Sequence, residues 1–313
     1  LFRSPAICRQ ATDELAPQVQ HDILMSNAYF AQIKERLIQT LTRTVRRLSA
    51  FSAVSDFHME GLEKSFGRPG SPWEALRFTL KNGLQVVVTG QIDRIDTLRQ
   101  GDHKYVVIID YKSGRKQLDI SQIFTGLELQ LLTYMFVALL NIGGDAIPAA
   151  ALYCYVRNDK VSLEYRVSEE DKKKLYDAKG KLTGFYLDDG QVMQQLDTSM
   201  QGFSDFLNLR LKKDGTLSDS SHTLYNEAGW SHLLDWAARQ IRDIAGHIGD
   251  GDISIHPILM GQQAPCSYCP YRPVCRFDVA VAGNTYDAAG REDTDEMIQK
   301  MFDEGDDEHG LDE

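Results

Sequence analysis

Two runs, LQVVVTGQIDRID at residues 84–96 and YVVIIDYKSGRK at 105–116, constrain this chain more than any other feature. Each is an apolar strand pattern that ends abruptly in charge, the first at Asp93 and the second at Asp110 and Lys112. Apolar residues without polar interruption predict a strand buried within a sheet, and two such strands side by side can set both carboxylates at one sheet edge. Lys112 follows Asp110 by two positions and so shares its face, because side chains alternate along a strand. Two carboxylates and a backbone carbonyl are hard oxygen donors suited to Mg²⁺ or Mn²⁺. A lysine beside them can orient or help deprotonate a water, or offset charge on a phosphate under attack. The plainer alternative is a strand end whose Asp110 and Lys112 pair at the surface. The apolar run before them and the second acid-ended strand favour the site.

The rest of the chain falls into recognisable stretches. Residues 11–53 predict helix, with Phe30, Ile33, Leu37, Leu41 and Val45 as a packed apolar stripe and Lys34, Arg36, Arg43, Arg46 and Arg47 as a solvated basic face. From His58 the pattern changes to short strands at 58–66, 75–81, 85–96 and 104–111, divided by RPGSP, KNG and RQGD. Leu127–Leu140 predicts an apolar helix and Ala149–Val156 a further strand. Helix, antiparallel strands, helix and strand in that order make an α/β core with a mixed sheet. Residues 168–250 predict mainly helix, ending in an amphipathic helix from Ala228 to about Ile248 whose stripe holds Trp230, Leu233, Leu234, Ala237, Ile241 and Ile244. Within LELQLLTYMFVALL, Gln130 and Tyr134 stand four apart on an otherwise apolar helix face, where two polar groups need partners or a ligand.

At 313 residues and 42% hydrophobic the chain can bury one large core or two modest ones. Of the net charge of −11, most lies between Arg291 and Glu313, where eleven acidic residues meet two basic ones. That stretch predicts a solvated, disordered tail, and the remainder is balanced enough to leave a nucleic-acid partner open. A start at Leu1, with no signal core and no bilayer-length apolar run, predicts a soluble, cytoplasmic piece of something longer. Cys266, Cys269 and Cys275 form C-x2-C-x5-C, a spacing that in such a protein predicts a metal or iron–sulfur site rather than a disulfide framework. Three thiolates need a fourth ligand. Zinc with His256 is one reading, while Cys154 in its strand reads as a buried apolar thiol. No G-x-x-x-x-G-K-[ST] loop occurs, so the chain carries no nucleotide-hydrolysis motif of that kind.

GQIDRID, IDYKSG and QLLTY together resemble the PD-(D/E)XK nuclease superfamily, in particular its RecB-like branch. With GLEKSFG, LKNG, GLELQLLTY, LKKDG and PCSYCPYRPVCRFD in this order, the resemblance extends to the C-terminal nuclease region of the AddB family of helicase-nuclease subunits. It implies a restriction-endonuclease-like core, a mixed central sheet flanked by helices, followed by a helical C-terminal region carrying the cysteine cluster. The corresponding division is an N-terminal helical segment 1–53, nuclease core 54–165, helical extension 166–252, cysteine segment 253–285 and acidic tail 286–313.

The resemblance also implies roles. Asp93, Asp110 and the Tyr111 carbonyl would hold Mg²⁺ or Mn²⁺, and Lys112 would be the catalytic lysine. Gln130 and Tyr134 would border the site and the DNA backbone, and Glu63 would be a strand acid close to the metal. Cys266, Cys269 and Cys275 would hold a [4Fe-4S] cluster with an upstream cysteine. Here the chain departs from the family. That cysteine normally stands in a Cys-Pro-Phe context ahead of a metal-binding histidine, whereas Cys8 precedes Arg-Gln and His21 lies in QVQHDIL. The expectation is that the chain starts downstream of both ligands, with Cys8 as a substitute candidate. The implied activity is Mg²⁺-dependent cleavage of the 5′-ended strand emerging from an unwound duplex, beside an AddA-like helicase-nuclease subunit, in double-strand-break repair and recombination. The alternatives are a stand-alone RecB-like iron–sulfur exonuclease and a non-catalytic DNA-holding or subunit-docking fragment.

Overall fold

The two acid-ended runs become neighbouring strands of a six-stranded sheet in the computed structural model, which describes residues 4–114, 119–156, 168, 180–218, 223–261, 264–289 and 293–306. The strands are β1 His58–Phe66, β2 Leu76–Thr79, β3 Gln85–Val88, β4 Gly90–Gln100, β5 His103–Lys112, β6 Ala146–Tyr155, β7 Thr183–Leu187, β8 Arg210–Leu211, β9 Leu217–Ser218, β10 Leu224–Tyr225, β11 Ile258–Met260 and β12 Asp287–Ala289. The large sheet has the order β1-β4-β5-β6-β7-β10, and β2-β3, β8-β9 and β11-β12 form separate pairs. The helices are α1 Ser4–Leu15, α2 Ala28–Ala53, α3 Ile120–Phe124, α4 Gln130–Ile142, α5 Gly190–Leu196, α6 Glu227–Gly249, α7 Arg272–Cys275 and α8 Thr294–Asp306.

The chain divides into two units. The first comprises Leu1–Leu62, Asp93–Lys116 and Ala149–Leu224, and the second Glu63–Ile92, Gln117–Pro148 and Tyr225–Glu313. In the first, β4 and β5 pair antiparallel from Arg94 with Ile109 to Gln100 with His103, and Gly101 at φ 62° lets the chain turn. The run Val106 to Ile109 and the β6 residues Ala149 to Tyr153 are fully buried. That burial explains why both strands read as continuous apolar stretches rather than as alternation. Phe51 of α2 joins this core at 1% exposure. Arg47 of the same helix donates to the Gly180 carbonyl at 2.7 Å and the Asp205 carbonyl at 2.5 Å.

The second unit is built on helices. Its α4 packs on α6, and α8 packs on both α3 and α6. Trp236 of α6 stacks on Phe124 with ring centroids 5.3 Å apart and donates its indole N–H to the Ile123 carbonyl at 3.2 Å. Asn226 caps α6 by accepting from the Gly229 amide at 2.8 Å.

Several expectations need correction. The helix expected over 11–53 begins at Ser4, stops at Leu15 and resumes at Ala28. Pro17 and three left-handed residues, Gln20, His21 and Asp22, break it, and Asn27 caps the new start by accepting from the Tyr29 and Phe30 amides. On α2 the stripe read as packed is partly open, with Leu37, Leu41 and Val45 at 36–43% exposure, while Ile38 and Phe51 are buried. Periodicity marks an amphipathic helix but not what covers it. The strand expected over 85–96 splits at Thr89 into β3, which turns back on β2, and β4. The stretch 168–250, expected as mainly helix, holds β7, the short α5 and three two-residue strands before α6; residues 157–167 and 169–179 lie outside the described residues. The acidic stretch, expected to be disordered, forms α8 over Thr294–Asp306, with Met297 at 3% and Met301 at 0% exposure; residues 307–313 lie outside the described residues. Asp295 and Glu296 in its first turn suit the positive end of a helix dipole, so acidity there supports the helix.

Candidate active site

In the first unit, one step beyond the register pair of Arg94 and Ile109 lies Asp93 opposite Asp110, and residues opposed on antiparallel strands share a face. The Tyr111 amide donates to Asp93 Oδ2 at 2.7 Å, so the carboxylate caps the ladder where β4 and β5 stop pairing. Asp110 is 2% exposed. Its Oδ2 lies 2.7 Å from Lys112 Nζ, whose side chain is 20% exposed, and the ammonium sits 5.3 Å from the centroid of the Tyr153 ring on β6. Alternation along β5 thus brings acid and lysine to one face. The Lys112 carbonyl accepts from the Val156 amide at 2.8 Å, which ties the end of β5 to the residue after β6.

The opposite face of the same strands carries a buried network absent from the motif reading. Arg94, 8% exposed, donates to both oxygens of Asp96 at 2.7 to 3.1 Å and to Ser52 Oγ at 3.0 Å. Burial pulls the guanidinium down, but its bonds and attraction to Asp96, with a smaller share from Tyr111, leave it above its ordinary value. Burial likewise pushes the Tyr111 hydroxyl up, against the pull of Arg94, with which it also hydrogen-bonds. Arg94 and Asp96 stand inside GQIDRID on the face opposite Asp93, so strand alternation was the available signal. Tyr153 could not be found that way, because its place under Lys112 depends on β6 lying beside β5.

In the second unit, Gln130, the first residue of α4, donates from Nε2 to the Tyr134 hydroxyl at 2.9 Å. The Tyr134 ring meets Phe66 edge to face at 6.0 Å. A Cβ on Gly90 would come within 2.7 Å of the Phe66 ring and 3.6 Å of Tyr134, so this packing needs a glycine there. Glu63 is exposed, lies in β1 at φ 48°, and accepts a hydrogen bond from Gln91 Nε2. A left-handed glutamate in a strand is uncommon and marks a local irregularity that re-aims its side chain.

The donor chemistry of Asp93, Asp110 and the Tyr111 carbonyl fits a hard divalent cation. Among the described residues, no three or more His, Cys, Asp or Glu side chains are grouped so as to hold a metal ion. The structure therefore does not draw Cys266, Cys269 and Cys275 into a ligand set with one another or with Cys8 or His256. Cys266 and Cys269 are half-buried and Cys275 is exposed, all three as free thiols. Cys8 is buried within the first unit, whereas the other three belong to the second. Cys154 is the buried apolar thiol its sequence setting predicts, with burial pushing it up to about 12. His256 Nδ1 lies 3.9 Å from Asp287 Oδ2. No helix among the described residues is long and apolar enough to cross a membrane.

A family model described as the PD-(D/E)XK nuclease superfamily matches residues 3–276. Its fold is α/β with a mixed central sheet flanked by helices. The chain is 36% identical over 289 residues to the B subunit of the ATP-dependent helicase/deoxyribonuclease of Moorella thermoacetica, covering 91% of this chain and 25% of that protein. It is 34% identical over 281 residues to the protein of the same name from Bacillus subtilis, covering 88% and 24%. With the Bacillus pumilus protein it shares 32% over 304 residues, covering 95% and 26%. The chain thus spans about a quarter of the length of the curated relatives it matches.

Proposed function

Since the chain belongs to the PD-(D/E)XK nuclease superfamily, we propose that it is the nuclease segment of an AddB-like polypeptide of a helicase-nuclease, which hydrolyses DNA phosphodiesters with a divalent cation. The observation that supports this most is the juxtaposition on one strand face of Asp93, Asp110 and Lys112, with the ammonium 2.7 Å from the Asp110 carboxylate. Asp93, Asp110 and the Tyr111 carbonyl would hold Mg²⁺ or Mn²⁺, which when bound supplies Lewis acidity and favours deprotonation of an attacking water. Lys112 donates a hydrogen bond to the phosphate under attack and offsets the charge that grows on it. The partly exposed ammonium can reach toward solvent while keeping Asp110 as its counter-ion. Gln130 and Tyr134 offer an amide and a hydroxyl to a DNA backbone, and Glu63 is the proposed further acid. Contacts of this kind engage phosphates rather than base edges, so cleavage without sequence preference is expected.

By extension from the relatives, the substrate is the 5′-ended strand from an unwound duplex and the partner an AddA-like helicase-nuclease subunit. The setting is cytoplasmic double-strand-break repair and recombination. For Cys266, Cys269 and Cys275 the proposed occupant is a [4Fe-4S] cluster, supported by their soft thiols and C-x2-C-x5-C spacing, with Cys8 as candidate fourth ligand. Zinc is the competing occupant. Because the described thiols are not gathered, no catalytic step is drawn through either. An absorbance band near ~400 nm in anaerobically purified protein, set against a zinc assay, decides between them.

The nuclease reading is tested on single-stranded DNA with Mg²⁺, comparing the chain with Asp110→Ala and Lys112→Ala. Losses of about a hundred-fold or more in both are expected. Equal cleavage by all three, or none by any, rejects it. The second outcome would favour a DNA-holding or docking fragment.

A further inference from the structure

Tyr111 links the two faces of the strand pair. On one side its amide fixes Asp93 Oδ2 at 2.7 Å, and its carbonyl lies between Asp110 and Lys112 in the chain. On the other side its hydroxyl meets the guanidinium of Arg94. That guanidinium is itself held in place, since Asp96 accepts from Nε and Nη2 in a two-pronged pairing while Ser52 of α2 takes a further bond at 3.0 Å. A planar fork held by a carboxylate has little freedom to rotate. The ring of Tyr111 is thereby fixed, and with it the orientation of the peptide groups on either side of its Cα.

We propose that Arg94, clamped by Asp96, is a positioning residue for the divalent-cation site, acting through Tyr111 to hold the Asp93 carboxylate and the Tyr111 carbonyl in register with Asp110. Arg94 touches neither substrate nor the reacting atoms. It lies on the opposite face of the strand from Asp93, one residue along. Partners one shell out from a metal's donors typically change affinity ten- to hundred-fold when removed, because they set the donors' orientation. A lysine would keep the charge of Arg94 but not its two-pronged geometry, and a phenylalanine at Tyr111 would keep ring, amide and carbonyl while losing the hydroxyl. These two changes isolate the tether from the donors.

The inference rests on Asp93 and Asp110 holding a cation, and the experiment separates the two claims. Mn²⁺ is titrated calorimetrically, without DNA, into the chain and into Asp110→Ala, Tyr111→Phe, Arg94→Lys and Phe51→Leu. A Mn²⁺ event that Asp110→Ala abolishes is expected, weakened about ten-fold or more in Tyr111→Phe and Arg94→Lys. Phe51→Leu, a core change in α2 that loosens packing, is expected to lower the melting temperature and leave the affinity as it was. If no Asp110-dependent event exists, the cation-site reading and this inference both fall. If the event exists and both tether variants bind like the parent, the inference alone falls. It falls equally if Phe51→Leu weakens Mn²⁺ as much as they do, since the network would then be only part of the general scaffold. Should Arg94→Lys fail to fold, Tyr111→Phe, which leaves the buried ion pair intact, carries the test.

Discussion

Gly184 sits opposite Leu152 where β7 pairs with β6, and a Cβ built on it would lie 1.9 Å from the Ala151 carbonyl oxygen. No rotamer relieves a clash with backbone, so Gly184→Ala must push two central strands apart. It is expected to cost at least about 3 kcal/mol in urea denaturation. Cys154, on the same β6, illustrates burial acting on chemistry. Its thiol is raised from about 9 to about 12, so the neutral form is the one the fold accommodates. A group raised in this way contributes its full stability below the unfolded value and loses it as pH climbs through the folded one. Below pH 9 it therefore costs nothing, and above that the unfolded chain gains by ionising. Cys154→Ala is expected to remove about 2 kcal/mol of the decline in stability near pH ~10.5, read from urea midpoints across a pH series. In the native, metal-free protein at neutral pH, an alkylating reagent should label exposed Cys275 and spare Cys154. Labelling of Cys154 at the Cys275 rate would contradict its burial.

At the scale of elements, α8 shows how charge can hide structure. Of its 13 residues, TDEMIQKMFDEGD, the acidic ones outnumber the apolar, yet Met297 and Met301 are one helical turn apart and both buried. The neighbouring Phe302 stacks on His232 at 4.8 Å and meets Tyr225 at 6.1 Å. Arg239 Nη2 donates to the Met301 carbonyl at 3.2 Å. Met301→Ala is expected to destabilise by about 2 to 4 kcal/mol, the range for a fully buried methionine, which a solvated tail would not show. Unchanged denaturation would remove α8 from the core. The strands were legible because an apolar run ending in Asp110 and Lys112 has few other ways to fold. The break between β3 and β4 was not, because it depends on Phe66 and Tyr134 packing against Gly90, residues distant in sequence. The site shows the same division. Asp93, Asp110 and Lys112 follow from alternation along strands. The Arg94 clamp lay in the same motif but on the face that the metal chemistry gave no reason to inspect, and Tyr153 needed the strand order.

For the whole molecule, the organisation into two units of three segments each sets what can be removed. The first unit is complete by Leu224, whereas the second draws α6 and α8 from the residues that follow. Within the second unit α4 packs on α6, so Leu131, Leu132, Met135 and Ala138 depend for much of their burial on chain beyond residue 224. A fragment of residues 1–224 should therefore behave differently in its two parts. Amides of β4–β5 and β6–β7 are expected to stay slow in hydrogen exchange, since every strand and register partner they use is present. Amides of α4 are expected to exchange by local unfolding several orders of magnitude faster than in the intact chain, because an apolar helix deprived of its packing face is marginal in water. The contrast follows from the apolar sequence of α4 itself, which has little to stabilise it except burial. Slow α4 amides in the fragment would show that α6 is dispensable to it, and uniformly fast exchange would show that the first unit does not stand without the second.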